Sequence, residues 1–250
     1  MVWYKDFFEN WYLDLYLPLL RFKPSYIKKE VSFINRVLNL PKGAKILDLC
    51  CGHGRHLIPL AKMGYQMIGL DLSKKALSIL AKRAKNEKLK IRIIRADMRE
   101  IPFKNEFDAV INIYTSFGYL ETDYEDFKVL KSISKALKPG GKFLIDIINS
   151  DFTLANFYPK SWDKVGKSLR LEERIYNPKT RRNTVTIQFF DRKGKWHKTF
   201  YVVRIYSLAE MRKNLDKVGL KIVKVYGGTI GNQKFTKNSK RLIILAIKQS

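Results

Sequence analysis

The sequence predicts an α/β fold: a doubly wound, mostly parallel seven-stranded sheet with an antiparallel β insertion after the fifth strand. Three observations carry this expectation. Short apolar runs alternate with helix-like segments from residue 45 to residue 148, the spacing of strand–helix–strand units. The first run ends in a glycine-bearing turn, Cys51-Gly52-His53-Gly54. The periodicity then switches to strand-like alternation over 168–206 before the α/β pattern resumes.

Each element has its own signal. Residues 3–20, WYKDFFENWYLDLYLPLL, place Phe8, Tyr12 and Tyr16 at four-residue spacing, on one face of a helix. That helix either packs by the stripe or closes over a ligand with it. A second helix spans 24–38, with Pro24 suited to its first turn. Residues 39–43 break the chain before the first strand, 45–50, which leads into the turn Cys51-Gly52-His53-Gly54. After the glycine turn a helix over 55–63 ends at Gly64, a natural position for left-handed backbone. The second strand, 65–70, ends at Asp71, and Ser73 caps the helix that follows. The third and fourth strands are 91–95 and 107–113. Thr122 and Glu125 form a capping box for the next helix, which Lys138-Pro139-Gly140-Gly141 stops. The fifth strand is 142–148.

Residues 168–176, 183–192 and 196–206 read as two or three antiparallel strands joined by the turns at 177–179 and 192–195. Ser207 and Glu210 make a further capping box, and Gly219 ends that helix. The last strands, 221–226 and 241–247, are joined by the glycine-rich loop 227–232. The expected organisation is an N-terminal helical lid (1–40), a ligand-binding domain (41–150 and 207–250) and an antiparallel cap on the acceptor side (151–206).

Composition narrows the function classes. The 49 Lys and Arg against 23 Asp and Glu give a formal charge of +26. The excess is spread along the chain rather than gathered in one tail, which suits either a solvated lysine-rich surface or a polyanion partner. The two cysteines are adjacent, which leaves no disulfide framework. Lys5, Asp6, Glu9 and Asp14 interrupt any secretory apolar segment, and no uncharged run is long enough to span a bilayer. A cytoplasmic protein without membrane partners is expected.

The glycine turn after an apolar strand brings backbone N–H groups close to a ligand, and an acid at the tip of the second strand suits a ribose. A dinucleotide-binding oxidoreductase would need a third glycine, where this chain has Leu57. The ordered set ILDLCCGHGRH, MIGLDLS, RADM, FDAVINIYTS and LKPGGKFLID resembles the class I S-adenosylmethionine-dependent methyltransferases, which have a Rossmann-like sheet. The resemblance covers 40–150 by motif and 207–248 by pattern. The stretch IYTSFGYL, the insertion and the aromatic N-terminal helix are similar to the subgroup acting on small molecules, which includes the sugar N,N-dimethyltransferases.

The resemblance implies S-adenosylmethionine as cofactor and S-adenosylhomocysteine as product. It implies that Asp48 and the backbone of Cys50, Gly52 and Gly54 hold the methionine end, that Asp71 takes the ribose hydroxyls, and that Leu72 lies on the adenine. Asp97 and Met98 would meet the adenine edge, and Ile113 the path of the methyl group, with Tyr12 of the lid counted among the cofactor contacts. Tyr119 and Tyr114 are the candidate catalytic residues; His56 is weighed as a base and read as a packed or capping residue. Cys50 stands where the family has glycine.

The expected acceptor is a small molecule methylated on N or O. An RNA acceptor would explain the charge, yet Asn112-Ile113-Tyr114-Thr115 is not the signal of adenine amino methyltransferases. Both cysteines lie in the cofactor turn, which leaves no nucleophile for pyrimidine C5 chemistry. Lys179, Arg181, Arg182, Arg192, Lys193 and Lys195, at the two insertion turns, are the residues best suited to a polyanion. A non-catalytic nucleic-acid-binding module is the weakest reading, because the cofactor motifs are intact.

Overall fold

In the computed structural model, which describes residues 2–17, 24–165, 168–191, 194–228 and 233–249, the chain forms two sheets. Residues 18–20 of the predicted first helix, Arg192 and Lys193, and residues 229–232 of the glycine-rich loop lie outside the described residues.

The larger sheet contains β1 (Lys45–Leu49), β2 (Gln66–Asp71), β3 (Arg92–Arg95), β4 (Phe107–Asn112), β5 (Leu137–Ile148), β10 (Leu220–Tyr226) and β11 (Arg241–Lys248), in the order β10-β11-β5-β4-β1-β2-β3. The strands β3, β2, β1, β4 and β5 are parallel, and β11 pairs antiparallel with both β5 and β10. Order therefore reverses beside β1, which opens a crevice at the carboxyl ends of β1 and β4 where such sheets bind ligands.

Alternate residues of each central strand face opposite helical layers. Ile46, Ile111, Leu144 and Ile243 pack with α3 (Pro24–Leu38), α4 (Leu57–Lys62) and α5 (Lys74–Asn86). Leu47, Val110, Phe143, Ile145 and Leu242 pack with α6 (Asp123–Ala136) and α8 (Leu208–Asp216). Both faces are covered, which is why these strands read as continuous apolar runs. The predicted caps are present: Ser73 Oγ accepts the Ala76 N–H, and Thr122/Glu125 and Ser207/Glu210 each close a reciprocal box. The fifth strand starts earlier than its apolar run, because Lys138 to Gly141 enters the ladder through a shift of register against β4.

The second sheet has four strands rather than two or three: β6 (Lys160–Val165), β7 (Ser168–Asn177), β8 (Arg182–Phe190) and β9 (Trp196–Arg204), paired antiparallel in that order and reached through α7 (Ser150–Ala155). The sequence hides β6 because residues 160–164 are all exposed and, apart from Trp162, polar, as an edge strand carrying charge tends to be.

The N-terminal helix is not one regular helix. A π-helical segment, Phe7–Trp11, separates α1 (Trp3–Asp6) from α2 (Tyr12–Tyr16). Phe7, Leu15 and Tyr16 are buried on Val185, Ile187 and Phe189 of β8, whereas Phe8 and Tyr12 turn toward the large sheet. The Phe8–Tyr12 and Tyr12–Tyr16 ring centroids stand 5.3 and 5.2 Å apart, so the aromatic stripe runs from the pocket side to the small sheet. Among the described residues no helix is long and apolar enough to cross a membrane.

Candidate active site

The turn after β1 is set by its backbone. Cys50, Gly52 and Gly54 have φ of 60°, 53° and 79°, and the Cys50 and Cys51 N–H groups both donate to Leu70 O, at 2.7 and 3.1 Å. Left-handed backbone costs a non-glycine residue about 1–2 kcal/mol. Cys50 tolerates it with a small side chain packed into the core, its Sγ 3.7 Å from Met98 Sδ. Cys51 is buried and Cys50 half-buried, and both thiols are held well above their ordinary pKa, first by burial and then by neighbouring carboxylates, which disfavours the thiolate.

Asp71, at the tip of β2, accepts the Gly52 N–H at 2.8 Å and the Ser73 N–H at 2.9 Å. Burial raises its pKa, and these backbone donors oppose the rise. Asp48 of β1 is 3% exposed. Burial pushes its carboxyl up to about 8, with Arg55 pulling it down and Asp71 adding repulsion. Asp97 behaves differently. Burial alone would raise it, but Arg99 binds it through Nε at 3.0 Å, Nη2 at 2.7 Å and its backbone N–H at 2.9 Å, and the net shift is downward. Arg99 also donates to Tyr4 Oη at 3.1 Å and pairs with Glu125, which ties the rim of the crevice to α1 and α6.

Asp48, Asp71 and Asp97 line one cavity together with the turn after β1. Tyr12, Asp48, Cys50, Gly52, Asp71, Leu72, Asp97, Met98, Ile113, Tyr114 and Tyr119 all line it. Gly54 does not. Its Cα is turned toward α5, and a Cβ there would lie 2.3 Å from Leu80 Cδ1, so its freedom serves helix packing. Gly52 has open space beside it, but its N–H is already directed at Asp71.

Sequence reasoning missed much of the lid side and the polar wall. Tyr4, Phe8 and Leu13 of the N-terminal helical segment line the cavity, and Lys75 of α5 binds that segment: its N–H donates to Glu9 at 3.1 Å and its Nζ meets Asp14 at 3.2 Å. Arg55 lines the cavity and stacks on Tyr114, 4.4 Å from the ring centroid. Its position directly after the glycine turn was the available signal. His56 lines the cavity too, but it is 4% exposed and 2.9 Å from Glu30 Oε2. Burial and Arg55 lower its pKa despite Glu30, so it is a packed neutral ring rather than a poised base. His53 is driven down to about 4, by burial first and then by Arg83 and Arg55.

Tyr119 packs edge-on against Phe8 at 5.1 Å and lies 5.9 Å from Tyr201 of β9, so lid, large sheet and small sheet meet at this ring. Among the described residues no three His, Cys, Asp or Glu side chains cluster as a metal site.

Residues 46–141 match the methyltransferase domain model. That stretch carries the methyltransferase domain, and the chain resembles the class I S-adenosylmethionine-dependent methyltransferases, the small-molecule, sugar N,N-dimethyltransferase-like subgroup among them. The methyltransferase YqeM of Bacillus subtilis (strain 168) is 38% identical over 124 residues, and that match spans about half of each chain, 49%. The dTDP-3-amino-3,4,6-trideoxy-alpha-D-glucopyranose N,N-dimethyltransferase of Streptomyces venezuelae is 26% identical over 78% of this chain and 83% of its own. Among solved structures, an S-adenosylmethionine-dependent methyltransferase from Clostridium acetobutylicum ATCC 824 superposes with a TM-score of 0.82 at 24% identity, covering 94% of this chain and 97% of its own. That likeness establishes the fold.

Proposed function

We propose that the chain transfers a methyl group from S-adenosylmethionine to a nitrogen or oxygen of a small molecule. The observation that carries the reading is the single cavity joining the tips of β1, β2 and β4 to an aromatic lid, with Asp48 and Asp71 in its wall. These residues suit the donor. Asp48 would face the amino-acid end, where an ammonium offsets its burial, and Asp71 would take ribose hydroxyls while keeping its bonds to Gly52 and Ser73. Leu72, Ala96, Met98 and Leu120 offer an apolar slot for the adenine beside Asp97.

The bound donor supplies an already activated methyl group. The chain's part is then alignment and exclusion of water, which can account for most of the acceleration of such a displacement. Ile113 and Tyr114 would flank the line of approach, and Phe8, Tyr12 and Tyr119 would close it to water. The residues on the acceptor side would orient the acceptor's lone pair toward the activated methyl group, and the proton the acceptor gives up would leave on that side. His56 is already committed to Glu30, so Tyr119 and Tyr114 are the proposed residues at the acceptor.

A small-molecule acceptor is favoured over RNA by the relative that acts on an amino sugar nucleotide. The engagement of the insertion-turn cations supports it as well. Arg182 binds Asp123 at 2.8 Å and Arg181 lies 3.4 Å from Glu210, contacts that tie the small sheet to α6 and α8. The test is calorimetry with S-adenosylhomocysteine and NAD, followed by transfer of labelled methyl into metabolite and RNA fractions. Binding of the homocysteine product without NAD is expected; binding of NAD alone would refute the reading.

A further inference from the structure

A second cavity opens beside the first. Its floor is Glu30, Tyr114, Asp146 and Arg241, and Lys234 and Lys240 stand at its exposed rim. Tyr114 lines both cavities. Glu30 lines the second, while its partners His56 and Arg55, at 2.9 and 3.5 Å, line the first. One layer of side chains therefore separates the two spaces.

That wall is held in a conformation the sequence does not favour. Tyr114 and Thr115 are consecutive left-handed residues, φ 74° and 55°. Such backbone is unfavourable for residues with a side chain and persists only where its surroundings enforce it, typically at a functional site. Asp146, 1% exposed, enforces it here: its Oδ2 accepts the Tyr114 N–H at 3.2 Å and its carbonyl accepts the Thr115 N–H at 2.8 Å. Arg241 closes the clamp, donating to Asp146 Oδ1 and to Thr115 Oγ1, both at 2.7 Å, and lying 5.4 Å from the Tyr114 ring centroid.

The opposite wall is also preformed. Asn149, 1% exposed, donates to the carbonyls of Lys237 at 3.0 Å and Ser239 at 2.8 Å, and Ser239 Oγ accepts the Thr236 N–H at 2.9 Å. The floor carboxylates are matched by Arg55, His56 and Arg241, whereas neither rim lysine enters an ion pair among the described residues. The charge left for a ligand is positive, and it sits at the mouth.

We propose that this second cavity receives the methyl acceptor, a small molecule bearing a phosphate or carboxylate that Lys234 and Lys240 hold while its reacting atom reaches the first cavity past Tyr114. The proposal rests on the first cavity being the donor site. Two cavities divided by a single strained residue suit a two-substrate reaction, in which the reacting atoms must come within about 3–3.5 Å.

The test uses the full chain saturated with S-adenosylhomocysteine and titrated with pyrophosphate and, separately, malonate. Four proteins are compared: wild type, Lys234→Gln/Lys240→Gln, Asn238→Trp to fill the cavity from its exposed lining, and Lys82→Gln/Lys85→Gln as a control for diffuse charge. Saturable binding of at least one anion to wild type and to the control is expected. Both cavity variants should bind it at least tenfold more weakly while keeping their affinity for the homocysteine product within twofold. Pyrophosphate binding without malonate assigns a phosphate, and the converse a carboxylate. No binding to wild type, equal binding in the cavity variants, or an equal loss in the control would overturn the proposal while leaving the donor site intact. Failure of wild type to bind the homocysteine product would remove the donor reading and the proposal together.

Discussion

Replacing Asp48 by Asn should change how cofactor affinity depends on pH. The carboxyl is 3% exposed, and burial holds it protonated up to about 8. An ammonium placed beside it by the ligand would require the carboxylate. Binding at pH 7 then includes a deprotonation one unit below that pKa, which costs about 1.4 kcal/mol. Affinity for S-adenosylhomocysteine should therefore rise about tenfold between pH 6 and pH 7 and level off above about 8, with release of close to one proton below that point. In Asp48→Asn the slope should vanish, and at pH 8 binding should be weaker by about 1.5–3 kcal/mol, the worth of a charged hydrogen bond. Calorimetry from pH 6 to 9, in two buffers of different ionisation enthalpy, reads both affinity and proton release.

The free protein gives an independent check. A folded-state pKa above the unfolded value of about 4 means the native state keeps a proton that the unfolded chain has lost, so this group's contribution to stability declines as pH rises from about 4 to about 8. The Asn variant should lack that decline. Equal affinity of wild type at pH 6 and pH 8, without proton release, would refute the assignment of Asp48 to the ligand's cationic end.

Three further variants separate binding from folding. Asp71→Ala should weaken cofactor binding by about 1–3 kcal/mol and leave the chain folded, as read by calorimetry and circular dichroism; unchanged affinity would leave Asp71 as a brace for Gly52 and Ser73 alone. Gly54→Ala should lose about 2–4 kcal/mol of stability in urea, because the new methyl meets Leu80 at 2.3 Å in left-handed backbone. Glu30→Ala removes the hydrogen-bond partner of buried His56 and the ion-pair partner of buried Arg55 and should cost about 3–5 kcal/mol; a loss below about 1 kcal/mol would mean the network is solvated.

What the sequence made legible is what local chemistry decides. The glycine turn, the Ser73 cap and both capping boxes depend on residues within four positions of one another, and all appear in the structure. The parallel strands show themselves as apolar runs buried on both faces, whereas their order, β10-β11-β5-β4-β1-β2-β3, is set by long-range pairing. The clamp on Tyr114 joins residues far apart in sequence, Asp146 and Arg241, and no local pattern marks it. Glu30 reaches His56 in the same way, from a helix read only for its bounds and for Pro24 in its first turn. The π-helical segment escaped because the four-residue aromatic spacing is equally that of a regular helix, and β6 because an exposed edge strand has no apolar alternation to show.

Transfer of labelled methyl from S-adenosylmethionine tests the central claim most directly. The protein is incubated with a metabolite extract and with total RNA across a salt series, and the label is followed into each fraction. Label in one metabolite, with any RNA association weak and lost steeply with salt, is the predicted result. Label entering a single nucleotide of RNA, and falling away when Lys179, Arg181, Arg182 and Lys195 are changed to Gln, would contradict it.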